Sequence, residues 1–192
     1  MELIDLDLNK FYTYADYLKW KFEERVELLK GKIFQMGAPG SNHQRVSKRL
    51  FSAINNYLTG RNCEVFFAPF DVRIPRKSAD DKDIITVFQP DLCVICDPTK
   101  IDEKGCLGAP DIVIEILSAD NNIKELKYKF DIYKEAGVKE YWIVDPREQS
   151  VQIFLLIEGK FITRGYLFDE DKITSNILPG FSMLVSELFL NI

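Results

Sequence analysis

Two apolar runs within residues 89–118 constrain the fold most strongly, because each is typical of a strand that is buried on both faces. Each run is opened by a proline–aspartate pair, which ends at Asp91 in the first and at Asp111 in the second, and the second run carries Glu115 at its centre. Near-continuous apolar strands are typical of the interior of a sheet covered by helices. A carboxylate inside such a strand is costly unless a partner compensates its charge. The segment therefore predicts a central sheet that carries an acidic functional site.

The rest of the chain predicts a mixed α/β (α+β) domain that spans residues 1–192. Apolar residues recur at helical spacing in three segments, and two glycine-containing turns separate pairs of strand-like runs. No repeat or linker divides the chain, so we expect one mixed sheet flanked by helices, with extra β-hairpins near both ends. The predicted helices cover residues 11–24, 42–60 and 123–136, and the hairpins turn at Lys30-Gly31 and Glu158-Gly159.

The charge and hydropathy of the chain limit its partners. Thirty acidic and 25 basic residues give a net charge of −5, which argues against a protein that coats nucleic acid by bulk electrostatics but permits a local phosphate-binding surface. No run of about 18 apolar residues is present, and the acidic N-terminus is unlike a signal peptide. We expect a cytoplasmic protein, and the C-terminal strands suggest pairing in a homodimer.

Four cysteines, Cys63, Cys93, Cys96 and Cys106, allow two interpretations. The spacing of Cys93 and Cys96 matches a C-x-x-C zinc or redox motif. Residues three apart on a strand point to opposite faces, however, and no second closely spaced pair follows. We therefore expect buried, reduced cysteines and no zinc.

Strand geometry selects the carboxylates that could share a metal ion. Asp111 and Glu115 lie four residues apart, so their Cα atoms are about 13 Å apart on one strand. A hard cation such as Mg²⁺ or Mn²⁺ needs ligand oxygens at about 2.0–2.6 Å. We therefore pair Glu115 with Asp91 of a neighbouring strand, and leave Asp111 as a flanking residue or a ligand of an outer water.

The helix over residues 123–136 adds a cation to these acids. At 100° per residue, Lys129 lies in the middle of the apolar face, close to Ile132 and Tyr133. Its ammonium could reach past the helix edge into water, or extend over the sheet to the carboxylates. In the second case a metal ion on Asp91 and Glu115, with Lys129 beside it, is suited to hydrolysis of a phosphodiester.

The whole pattern resembles the Uma family of restriction endonucleases, in the PD-(D/E)XK nuclease superfamily. The resemblance rests on PDLCVICDP, GAPDIVIEILS, a helix with K-x-x-x-Y and GVKEYWIVDP, with VELLKGKIFQM, Ser-Asn-His and LPGF outside them. It implies a restriction-endonuclease-like core, a nuclease that acts on nucleic acid, and Asp91 and Glu115 as metal ligands. No motif distinguishes DNA from RNA, and we expect DNA. Leu117 replaces the lysine of the in-strand E-x-K motif, and the resemblance implies Lys129 in its place.

Further residues could support such a site. Many nucleases of this superfamily carry an acid on the first core helix, but residues 42–60 contain none. Either His43 or Gln44 takes its place near the site, or no residue does, and His43 then makes only a local hydrogen bond. Ser118 could cap the following helix or line the site, and Tyr133 could meet a phosphate or lie satisfied in the core. Arg45, Lys48 and Arg49 form either a solvated face or a weak phosphate-contacting patch.

Two rival functions remain open from the sequence alone. One is a catalytically inactive module that keeps the nuclease fold and binds nucleic acid or a protein. The other is a zinc or redox protein built on the C-x-x-C spacing. Binding of a divalent metal ion separates the nuclease from the inactive module, and stoichiometric zinc would identify the third class.

Overall fold

Two six-stranded sheets form the framework of the chain. The computed structural model describes residues 6–118 and 123–192, with side chains described over 6–118 and 126–192. The helices are α1 (Tyr14–Tyr17), α2 (Ser41–Leu58), α3 (Ile123–Ala136) and α4 (Val185–Leu188). The strands are β1 (Val26–Leu29), β2 (Lys32–Gln35), β3 (Glu64–Phe67), β4 (Val72–Arg73), β5 (Val87–Phe88), β6 (Leu92–Ile95), β7 (Ile101–Asp102), β8 (Gly105–Leu107), β9 (Ile112–Ile116), β10 (Glu140–Asp145), β11 (Ser150–Ile157), β12 (Lys160–Leu167), β13 (Lys172–Thr174) and β14 (Ser182–Leu184).

The first sheet contains the two apolar strands that the sequence predicts. Its order is β12-β11-β10-β9-β6-β3, in which β9 and β10 are parallel and the other neighbours antiparallel. The two strands opened by proline–aspartate pairs, β6 and β9, are direct neighbours, and every residue in both is buried. The prediction of a mixed sheet flanked by helices is confirmed.

A second sheet, with the order β2-β1-β5-β4-β8-β7, packs beside the first. The predicted hairpin that turns at Lys30-Gly31 is present, and both residues have the positive φ values that this turn requires. The segment 98–109, which the sequence predicts to be a turn-rich link, forms β7 and β8. These strands have two and three residues, too few for an alternating pattern to be visible in the sequence.

Helices cover both faces of the first sheet. The buried stripe of α2 (Val46, Leu50, Ile54 and Leu58) packs in a core with Ile114 and Trp142. Each of these fully buried side chains contributes about 1.5–3 kcal/mol to folding. Helix α3 packs through Ile132 and Tyr133 against the residues of the opposite face, among them Cys93 and Val113. Strand alternation then places Asp91 and Glu115 on the α3 side. No helix in the part of the chain that the structure describes has the length and apolar character to cross a membrane.

Two sequence predictions are wrong. The helix predicted over residues 11–24 is a single turn, α1. The ring of Trp20 packs on those of Tyr12 and Tyr17, with centroids 5.2 and 5.6 Å apart, whereas a continuous helix would hold residues 12 and 20 about 12 Å apart along its axis. Cys63 and Cys96 form a disulfide that joins the start of β3 to the end of β6. Cys93 and Cys106 are buried and unpaired, as predicted.

Candidate functional site

The register of β6 and β9 brings Asp91 and Glu115 together. Leu92 lies opposite Ile114 in this antiparallel pair, so the next residues outward on the two strands are Asp91 and Glu115. The same register places Asp111, at the start of β9, near the far end of β6. The two proline–aspartate pairs therefore lie at opposite ends of the two strands, and only Asp91 shares an end with Glu115.

Asp91 is held by two contacts at this end of the sheet. Its Oδ2 accepts a hydrogen bond from the backbone N–H of Ile116, with a donor–acceptor distance of 2.7 Å. His43, on the first turn of α2, places its Nε2 at 3.1 Å from the same oxygen. The imidazole is buried, and its Nδ1 has no hydrogen-bond partner among the described residues. Helix α2 thus contributes a ring nitrogen, and not an acid, beside Asp91.

Glu115 is surrounded by donors from α3. The Nζ of Lys129 lies 3.1 Å from its Oε1, and the hydroxyl of Tyr133 donates to the same oxygen. Lys129 and Tyr133 are four residues apart, so they lie on one face of the helix, one turn from each other. Tyr133 is fully buried, and its hydroxyl is satisfied by Glu115. The lysine extends over the sheet and does not reach past the helix edge into water.

A third carboxylate, Glu27 on β1, completes this arrangement, and sequence reasoning missed it. Its Oε2 lies 3.0 Å from Nζ of Lys129, and the side chain is fully buried. Its Oε1 accepts from the backbone N–H of Gln89 at 2.8 Å. An acid among apolar residues of a hairpin is normally on the solvent face, so the hairpin pattern does not indicate a buried position for Glu27. Glu27, like Glu115, is a carboxylate within an apolar run, here VELL. The cost of burying such a carboxylate is the signal that could have identified Glu27.

Burial and charge set the protonation of these groups. Burial raises the pKa of Glu115 to about 7; Lys129 acts against this rise, and the negative charges of Asp91 and Glu27 add to it. Burial lowers the pKa of Lys129, but the two carboxylates outweigh it and hold that pKa above its ordinary value. Burial, with Glu115 beside it, also raises the pKa of Tyr133. Lys129 is therefore an ammonium and Tyr133 a neutral donor at physiological pH.

Asp91, Glu115 and Lys129 line a cleft of about 340 Å³, whereas Glu27 and Tyr133 lie behind its wall. A second hollow of about 600 Å³ adjoins it and shares Ala38, His43 and Ser118 with it. The two form one groove that runs past the carboxylates to the N-terminal end of α2. The wall of the first cleft is made by Arg25, Gln35, Met36, Gly37, Ala38, Pro39, His43, Asp91, Glu115, Ile116, Ser118 and Lys129.

Asp111 lies apart from this cleft. Its Oδ2 accepts from the backbone N–H of Cys96 at 2.8 Å, and its Oδ1 lies 2.7 Å from Nζ of Lys139. The carboxylate is buried, whereas the lysine is largely exposed. Asp111 thus ties the start of β9 to the end of β6 and to the residue before β10.

Replacement of Asp111 by alanine is expected to reduce stability without affecting chemistry at the cleft. The change leaves the Cys96 N–H without its acceptor and removes a charge-assisted hydrogen bond, at a cost of about 1–3 kcal/mol. Urea denaturation should show this loss, while binding of divalent metal and any cleavage of nucleic acid stay within about twofold of the unchanged protein. A Lys139→Ala control removes only the exposed partner and should cost about 1 kcal/mol or less. A loss of metal binding in Asp111→Ala would instead place Asp111 in the site.

The remaining predicted residues divide between the cleft and the helix surface. Of the two roles that the sequence allows for Ser118, it lines both hollows, whereas a cap for α3 would involve residues 119–122, which lie outside the described residues. On α2, Arg45 donates to Asn42 and Arg49 donates to the backbone carbonyl of Leu188. Neither arginine lines the described cleft, nor does Lys48.

The donor set of the cleft fits a hard divalent cation such as Mg²⁺. Over residues 6–118 and 126–192, no three His, Cys, Asp or Glu side chains are grouped closely enough to hold a metal ion, so the candidate ligands are two carboxylates, Asp91 and Glu115. Mg²⁺ is usually held by one or two carboxylates, with waters and substrate phosphates completing its shell. When Glu115 is ionised, three carboxylates against the two cations Lys129 and Arg25 leave excess negative charge, which a divalent cation would offset.

Comparisons with known proteins show the family and the fold of the chain. The family model described as "Putative restriction endonuclease", Uma2, matches residues 14–186. Two uncharacterized proteins of Synechocystis, slr1290 and sll1609, are 25% and 23% identical over 142 residues, which is 72% and 71% of this chain and 71% and 76% of theirs. A crystal structure from Anabaena variabilis, described as a putative nuclease belonging to DUF820, superposes with a TM-score of 0.74 at 23% identity, covering 93% of this chain and 97% of that one. The fold is thus that of a solved structure, and with the family model matching most of its length, the chain belongs to the Uma2 family.

Proposed function

We propose that the protein is a nuclease that uses Mg²⁺ or Mn²⁺ to hydrolyse phosphodiester bonds of nucleic acid, with DNA as the preferred substrate. One observation carries the proposal: Asp91 and Glu115 meet across β6 and β9 in an open cleft, with Lys129 against Glu115. The description of the Uma2 family as "Putative restriction endonuclease", and of the Anabaena neighbour as a "putative nuclease", supports it. The groove formed by the two hollows favours a polymeric substrate over a mononucleotide.

The chain's own groups have separate tasks in this reaction. Asp91 and Glu115 would hold the metal ion, which when bound polarises the phosphate and lowers the pKa of a water molecule. Tyr133 and Lys129 orient the Glu115 carboxylate, since both contact the same oxygen. His43 and the Ile116 N–H orient Asp91 in the same manner. The ammonium of Lys129 also places fixed positive charge beside the position at which charge develops on phosphorus.

Binding of metal and cleavage of nucleic acid test this proposal together. Calorimetry should show Mg²⁺ and Mn²⁺ binding to the unchanged protein, and supercoiled plasmid should be nicked or cut with either ion but not with EDTA. Asp91→Asn should lose both properties, because the amide has half the oxygen donors and no charge, whereas the matched change Asp111→Asn should keep both.

Two outcomes would contradict the proposal in different ways. Cleavage that persists in EDTA, or in Asp91→Asn, would show that the metal or the assigned ligand is wrong. Absence of both metal binding and cleavage, combined with retained binding of DNA, would identify the protein as an inactive module of the same fold.

A further inference from the structure

Arg25 is the second cation in the wall of the cleft, and the mechanism above does not use it. It immediately precedes β1 and lies two residues from Glu27, so the two side chains share a face of the strand. Glu27 contacts Lys129 on this face, and Arg25 lines the same cleft as Asp91 and Glu115. The fold therefore places a guanidinium beside the carboxylates.

The two cations of this cleft differ in how their charge is balanced. The ammonium of Lys129 contacts two carboxylates, Glu27 and Glu115. Arg25 forms no ion pair with any residue that the structure describes, and its one side-chain hydrogen bond, at 2.9 Å, goes to the neutral amide oxygen of Gln89. Its Nε is buried and has no partner there. A partly buried guanidinium with unused donors is a binding group for an anion.

Gln89 holds this guanidinium in place through a network of its own. Its Nε2 donates to Oδ1 of Asp71 at 2.8 Å and to the hydroxyl of Tyr17 at 3.2 Å. Both donors of the amide group are thereby occupied, so its Oε1 is fixed toward Arg25. The backbone N–H of Gln89 also binds Glu27. One residue thus orients both Arg25 and the carboxylate that contacts Lys129, which is the preorganisation that recognition of a rigid anion needs.

We propose that Arg25 binds a phosphate of the nucleic acid backbone in this cleft, through nonbridging oxygens. The inference rests on the proposed function and names the group that recognises its substrate. The wall of the cleft carries two carboxylates, Asp91 and Glu115, which repel a phosphodiester unless cations attract it. Beside the proposed metal ion, the protein's own attraction comes from Arg25, because Lys129 is already matched by two carboxylates. Its planar fork of donors fits two phosphate oxygens, which a lysine ammonium cannot reproduce.

Equilibrium binding of DNA at several salt concentrations tests the proposal apart from turnover. A fluorescent double-stranded oligonucleotide is titrated with protein in Mg²⁺, in a Glu115→Gln background that removes cleavage. Arg25→Gln is added to this background, with Arg25→Lys as the conservative variant. The matched control is Arg61→Gln. Arg61 lies beyond the C-terminal end of α2, whereas His43, near the N-terminal end, lines the cleft. The 18 residues of α2 separate the two ends by about 27 Å.

Loss of one phosphate contact has a defined signature. Arg25→Gln should weaken binding about 10- to 100-fold and reduce the slope of log Kd against log salt by about one. Arg25→Lys should keep the slope, because the charge remains, but bind more weakly than arginine. A role limited to holding Gln89 would leave the slope unchanged. Arg61→Gln should match the background protein in affinity.

The possible failures distinguish the Arg25 assignment from the proposed function. If the Glu115→Gln background binds DNA and adding Arg25→Gln leaves its salt slope unchanged, the assignment is overturned and the nuclease proposal is untouched. If the background and the unchanged protein both fail to bind DNA, the assignment and the DNA preference fail together. Arg25→Lys keeps the charge and a donor toward Gln89, so it gives a folded protein for the comparison if Arg25→Gln melts early.

Discussion

Replacing Glu115 with glutamine is expected to abolish cleavage while leaving the protein at least as stable at pH 8. The amide oxygen can still accept from Lys129 and Tyr133, so the packing is kept. The metal ion, however, loses a charged ligand. A bound metal ion lowers the barrier of the reaction by several kcal/mol, so its loss should reduce the rate of cleavage by about 100-fold or more. Plasmid cleavage and urea denaturation of the same preparation measure the two effects.

The pH dependence of stability gives this variant a second signature. The pKa of Glu115 is about 7 when folded, against an ordinary value of 4.5. Between these values the folded protein binds more protons than the unfolded chain, so Glu115 makes stability fall as pH rises from about 4.5 to about 7. The glutamine variant lacks this loss. Relative to the unchanged protein, its free energy of unfolding should rise by up to about 3 kcal/mol between these two pH values. Equal pH profiles would show that Glu115 ionises normally.

Glu140→Gln is the matched control for Glu115→Gln. Glu140 is also a buried glutamate of the first sheet, and burial raises its pKa despite hydrogen bonds from Ser175 and the Asn176 N–H. It lies outside the site cleft. Its replacement should change the pH profile of stability in the same direction but leave cleavage intact. Loss of cleavage in both variants would point to a general effect of altering a buried acid.

Replacing Lys129 with methionine is expected to destabilise the protein by about 3–5 kcal/mol at pH 8, because two buried carboxylates lose their shared cation. Glu27 and Glu115 become protonated more readily without it, so the cost should shrink at pH 5. Denaturation at the two pH values measures the difference. Lys134→Met, on the same helix but paired with Asp131 at the surface, should cost about 1 kcal/mol or less at both. A cost for Lys129→Met that does not change with pH would mean that lost packing dominates.

The parts of the site that depend on the geometry of a single strand or helix could be predicted from the sequence. Strand spacing excludes Asp111 as a partner for Glu115, and helical periodicity places Lys129 over the sheet. Glu27 and Arg25 were missed because their positions depend on how the second sheet packs against α3. Glu27 and Lys129 lie 102 residues apart in the chain, and no periodicity links residues so distant. The disulfide was missed for the same reason, since Cys63 and Cys96 meet only when β3 pairs with β6.

The ammonium of Lys129 also joins the two sheets, because Glu27 belongs to β1 of one and Glu115 to β9 of the other. Any movement that separates the sheets takes a carboxylate away from Lys129 and distorts the cleft at the same time. Integrity of the cleft and docking of the sheets therefore form a single equilibrium. A ligand that binds only the intact cleft therefore stabilises the docked arrangement of the two sheets. The gain in free energy is RT ln(1 + [L]/Kd).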